Sequence, residues 1–64
     1  MKYKIDIWQY GRIAESYESD DIVEVADWYK SHWSSAYDYG LCSIEIYKDG
    51  EDMPFEEALK LGFY

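Results

Sequence analysis

Apolar and polar residues alternate strictly at the start of the chain. Tyr3, Ile5 and Ile7 fall on one side, and Lys2, Lys4 and Asp6 on the other. A period of two marks a half-buried strand, because successive side chains of an extended chain point to opposite faces. The pattern predicts a strand near residues 2–9. Trp8 and Tyr10 interrupt the polar side, and Gly11 signals a turn. Residues 12–17, RIAESY, alternate more weakly. They fit a second strand returning through a Tyr10–Gly11 loop and equally an extended loop.

From Asp20 the period becomes helical. Ile22, Val25, Ala26, Tyr29, Trp33 and Ala36 share one face, with Glu24, Asp27, Ser31 and Ser35 opposite. Ser19 is placed to cap the N-terminus, Asp20 and Asp21 fall in the first turn, and Gly40 is placed to stop the helix. One long helix over residues 20–37 follows. Residues 41–48, LCSIEIYK, return to period two, with Cys42, Ile44 and Ile46 inward and Ser43, Glu45 and Tyr47 outward. Asp49–Gly50 reads as a turn. Pro54 suits a first helical turn, and Phe55, Ala58 and Leu59 would form the inner face of a short helix at 54–61 ended by Gly62. Glu56 and Lys60 stand at the i,i+4 spacing of a helical ion pair.

The order is β(β)αβα, in a single acidic domain over residues 1–64. The fold class is α+β: a small antiparallel sheet of two to three strands packed on one long helix, with a short C-terminal helix. Ile5, Ile7, Ile22, Ala26, Tyr29, Trp33, Ile44, Ile46, Phe55 and Leu59 are the expected core.

Composition supports an ordered chain. Sixty-four residues lie near the lower limit for independent folding, but 48% are apolar and 20% aromatic. Three Trp and eight Tyr supply large, stiff pieces, each burying roughly 150–250 Å². Cys42 is the sole cysteine, which excludes an intramolecular disulfide and a thiolate metal cluster. The N-terminal stretch lacks the apolar centre of a signal peptide, and no run approaches the ~20 apolar residues of a membrane span. The chain has neither Asn nor Thr, so it offers no N-glycosylation acceptor. These features point to a reducing, cytoplasmic setting.

Candidate chemistry is sparse. The sole histidine, His32, lies beside Trp33 with no Ser, Cys or carboxylate at a recognisable partner spacing. It reads as a semi-exposed helix residue, and Cys42 as a small core residue. No phosphate loop, metal-ligand spacing or nucleophile motif is present. The expectation is a protein without catalytic residues, metal or cofactor, and not an enzyme.

Charge is the strongest lead. The formal net charge is −8, which opposes direct contact with nucleic acid or anionic membrane and favours basic surfaces. Between Arg12 and Lys30 stand Glu15, Glu18, Asp20, Asp21, Glu24 and Asp27 and no base. A second cluster, Asp49, Glu51 and Asp52, precedes the C-terminal helix. Asp20/Asp21 and Glu56/Glu57 each open a predicted helix, where carboxylates favour the positive end of the dipole. The remaining acids lack that explanation.

A rigid row of Asp and Glu presents closely spaced negative charge where a DNA-binding protein expects phosphates. Small DNA-mimic proteins, often encoded by phages, block their targets in this way; the likeness is one of size and charge, with no shared motif. The expected function is therefore to bind and inhibit a basic, nucleic-acid-binding enzyme or regulator by occupying its DNA- or RNA-binding surface. Both acidic clusters would take part, with Tyr17 and Trp28 as anchors. The alternative is a protein–protein adaptor using exposed Tyr and Trp, which dominate interface hot spots, with no nucleic-acid connection. Tyr10, Tyr47, Phe63 and Tyr64 belong to the same set of partly exposed aromatics. A homodimer would cover such rings, though the net charge works against it.

Overall fold

Strand β1, Tyr3–Gln9, carries the most regular alternation and lies at the centre of the sheet. A computed structural model describes all residues 1–64. β1 turns through Tyr10–Gly11 into β2, Arg12–Ser19, and on its other side pairs with β3, Ser43–Lys48. The Asp49–Gly50 turn leads to a two-residue strand β4, Glu51–Asp52. All pairings are antiparallel, in the order β2-β1-β3-β4. At both turns two consecutive residues have positive φ: 55° and 77° at Tyr10–Gly11, 53° and 84° at Asp49–Gly50. Two-residue hairpin turns demand this of their central residues, which is why glycine occupies each second position.

The sheet thus has four strands rather than two or three. Residues 12–17 are a strand, extended to Ser19, and β4 adds an edge that two residues are too few to announce by periodicity. The third expected strand begins at Ser43 rather than 41, because Gly40 and Leu41 are still leaving the preceding helix; Leu41 N–H donates to Ala36 C=O at 2.8 Å.

The long helix is broken in two. Helix α1 spans Ile22–His32 and α2 spans Ser34–Asp38, with Trp33 between them at φ −128°. Its first capping residue is Asp21, whose carboxylate accepts from Val23 N–H at 2.9 Å. Ser19 stands one step back, its hydroxyl accepting from Asp21 N–H at 3.1 Å. The expected Ser19 cap and the residue 20 start are therefore shifted by the Asp side chain, an equally good cap that sits closer to the apolar face. Helix α3, Phe55–Lys60, follows Pro54.

Helix α1 packs on the sheet face that carries Ile5, Ile7, Ile44 and Ile46, all buried with Val25, Ala26, Tyr29, Met53, Ala58 and Phe63. Four members of the expected core differ. Ile22 and Trp33 are half-buried, while Phe55 and Leu59 are 61% and 49% exposed. Helix α3 instead turns Ala58 inward, and Gly62 at φ +90° reverses the chain so that Phe63 enters the core beside Tyr29, ring centroids 5.9 Å apart. Phe63 is thus buried, not partly exposed. The Glu56–Lys60 pair is not made; Glu57 reaches Lys48 of β3 at 3.7 Å instead. No helix is long and apolar enough to cross a membrane.

Candidate acidic interface

The β2 edge and α1 form one surface. Tyr17 projects from β2 toward the helix and stacks on Trp28, centroids 5.0 Å apart and planes within 10°. Its hydroxyl donates to Glu24 Oε1 at 2.5 Å. That bond to a carboxylate, aided by desolvation, raises the Tyr17 phenol above its ordinary pKa. His32 continues the column, 5.4 Å from Trp28, with Nδ1 2.8 Å from the Trp28 carbonyl. Glu15 also points to the helix side, accepting from Trp33 Nε1 at 2.9 Å.

The six carboxylates of residues 15–27 follow one another along β2, the turn after it and α1, with different neighbours. Asp21 caps the helix; Glu15 and Glu24 accept from indole and phenol. Only Glu18, on the opposite sheet face, has a basic partner, Lys2 at 3.6 Å. The other ion pairs are Lys4–Asp6 at 3.6 Å and Lys48–Glu57. Asp20 and Asp27 are exposed, with no ion pair. Trp28 and Tyr17 are half-buried in their stack rather than projecting as free anchors.

Asp49, Glu51 and Asp52 are exposed at the far edge. Pairing nevertheless brings the two clusters to one end of the sheet. Tyr3 lies between Ser19 and Lys48, so Asp20 and Asp49 both follow just beyond it, on strands about 10 Å apart. Lys2 stands between them. Its N–H donates to Asp49 Oδ1 at 2.8 Å, and its carbonyl accepts from Asp49 N–H at 2.7 Å. A base is thus set into the acidic rim, which the linear spacing of the clusters did not suggest.

The sheet face away from the helices holds a feature the alternation alone hides. Asp6 is 4% exposed although it lies on the outer side of β1. Ser16 Oγ donates to Asp6 Oδ1 at 2.7 Å, and Lys4 approaches the same oxygen. Asp6 and Lys4 floor a cleft of about 430 Å³ shared with Lys2, Glu18, Tyr47 and Asp49. The Tyr47 hydroxyl donates to Glu45, and this bond, with desolvation, raises its pKa to about 12. β1 becomes central only once β2 and β3 flank it, so Asp6 is the residue that sequence reasoning missed.

Cys42 lines a second cleft with a single carboxylate, Glu45, and desolvation raises its thiol pKa. His32 lines no cleft. Three or more His, Cys, Asp or Glu groups nowhere converge as a metal site would require. Comparison of the chain with protein-family models, with curated proteins and with solved structures returns no match.

Proposed function

We propose that this is a small binding protein, without chemistry of its own, that inhibits a basic nucleic-acid-binding protein by covering its DNA- or RNA-binding surface. The observation that supports the reading is the run of six carboxylates from Glu15 to Asp27, of which one alone is neutralised by an ion pair. Unpaired carboxylates held on a strand edge and a helix offer fixed negative charge to Lys and Arg without first breaking internal salt bridges. The aromatic column supports the same role indirectly, because it fixes Glu24 and the β2 edge relative to each other.

The test begins with affinity capture of a target, followed by competition. A target bound through its nucleic-acid site is released by short duplex DNA or by RNA, and its affinity falls steeply with salt. The double variant Glu24→Lys/Asp27→Lys is expected to abolish capture. A captured protein that keeps its affinity for this variant, and that binds nucleic acid at the same time, removes the proposal.

A second reading, the adaptor, is favoured by an exposed apolar patch on α3. Phe55 lies against Tyr64, centroids 4.7 Å apart, with Leu59 one turn on. Contact through this patch would be lost on Leu59→Glu and would be nearly indifferent to salt.

A further inference from the structure

The two edges of the sheet are not alike. β4 ends the sheet with two residues and is followed by Met53 and Pro54, so that edge offers almost no backbone to a partner. β2 is eight residues long, and all five from Arg12 to Ser16 are exposed. Its outer side presents the N–H and C=O groups that do not bond β1 and that no other strand takes. We infer that β2 is a docking strand: it accepts an extended basic segment of the target, which adds to the sheet as a fifth strand. This inference rests on the basic partner proposed above and specifies how that partner is held.

The side chains along β2 say which strand fits. By its pairing with β1, Ile13 lies on the open face opposite Trp8, whereas Glu15 lies on the helix side opposite Ile7. Ile13 is 47% exposed. Glu24, held by Tyr17, adds a second carboxylate on the helix side, with Asp27 one turn further along α1. An incoming strand with basic residues on one face and β-branched residues on the other meets carboxylates with the first and Ile13 with the second. A second copy of this chain is the poorer occupant. It would bring its own Glu15, which has no basic partner, onto the same seam, and like charges across a strand pair destabilise it.

The probe is a blocked peptide of alternating Lys and Val, added to the unaltered protein and followed by amide NMR. Its control has the same number of Lys, with Pro replacing alternate Val, so that charge is kept and strand pairing is lost. The expected result is exchange protection of the β2 amides not bonded to β1, and affinity about tenfold higher than the control's. Equal affinity for the two peptides, or perturbation centred on the α3 patch at Phe55 and Leu59, overturns the docking strand. Equal affinity that still falls with salt and with Glu24→Lys/Asp27→Lys overturns it while leaving the acidic interface intact. Failure of both peptides to bind at low salt removes the two together.

Discussion

The Tyr17 ring lies flat on the Trp28 indole, 5.0 Å between centroids, and ties the outermost long strand to the first helix. Besides its pairing with β1, β2 is joined to α1 by this stack and by the Tyr17–Glu24 hydrogen bond, and to Trp33 by Glu15. The stack therefore serves the fold before any partner arrives.

Replacing Trp28 with Ala should accordingly cost stability. The loss of its contacts with Tyr17 and His32 and of its half-buried surface is worth about 2 kcal/mol. Urea denaturation followed by circular dichroism measures it. An unchanged midpoint would mean that the column contributes nothing and that Trp28 is free for a partner.

Tyr29 gives the opposite expectation. It is 1% exposed, and its hydroxyl has no hydrogen-bond partner. An unsatisfied buried hydroxyl costs about 1–3 kcal/mol, so Tyr29→Phe should leave stability unchanged or raise it by about 1 kcal/mol. A clear destabilisation would reveal a bonded water or partner at that oxygen.

The tyrosines also set the alkaline limit. Desolvation raises Tyr29 well above the ordinary phenol range, and hydrogen bonds to carboxylates raise Tyr47, to about 12, and Tyr17. The folded state then holds these protons more tightly than the unfolded chain, whose phenols ionise near 10. The stabilisation is complete below about pH 10 and is lost as pH rises toward 12 and beyond. Thermal midpoints should fall over this window, less steeply in Tyr47→Phe. A flat profile between pH 9 and 11.5 would contradict the tyrosine environments described above.

Salt should act on the fold and on binding with opposite signs. The unpaired carboxylates repel one another, and raising ionic strength from about 0.01 M to about 0.1 M shortens screening from about 30 Å to about 10 Å. Stability should rise by about 0.5–1 kcal/mol, a few degrees in Tm for a domain of this size, while affinity for a basic target falls. A Tm that drops with salt would show attractive pairs outweighing the repulsion.

Gly62 is the conformational keystone of the C-terminus. At φ +90° the backbone strains any residue that carries a Cβ; Lys30 Nζ, 2.8 Å from where that Cβ would stand, is the end of a flexible, exposed side chain and can move aside. Gly62→Ala should cost about 1–2 kcal/mol and loosen Phe63, seen as a lower urea midpoint. No change would mean that Phe63 reaches the core by another route.

Much of this architecture was legible in the order of residues. β1, the body of α1 and β3 announce themselves by period, and the two turns by Gly11 and Gly50, the second after Asp49, which tolerates positive φ more readily than Tyr10 does. What was not legible depends on contacts between distant segments. The helix breaks at Trp33, whose indole is drawn to Glu15 eighteen residues earlier. The inner face of α3 is chosen by the reversal at Gly62, so Phe55 lost its place to Phe63. On the candidate surface, the acids of residues 15–27 were evident from their density. The meeting of both clusters around Lys2, and the burial of Asp6, exist only once β2 and β3 are paired on either side of β1.

The strand order has a kinetic meaning. Hairpin β1–β2 and helix α1 need only neighbours in sequence, and such pieces form on the scale of about 1–10 μs. The ladder between β1 and β3 sets Ile7 beside Ile44 and closes a loop containing β2 and both helices, an entropic cost met before the contacts reward it. The first half of the chain should therefore organise early and β3 arrive late. Until it does, one side of β1 stands bare, and the window for mispairing is the lifetime of that half-built sheet.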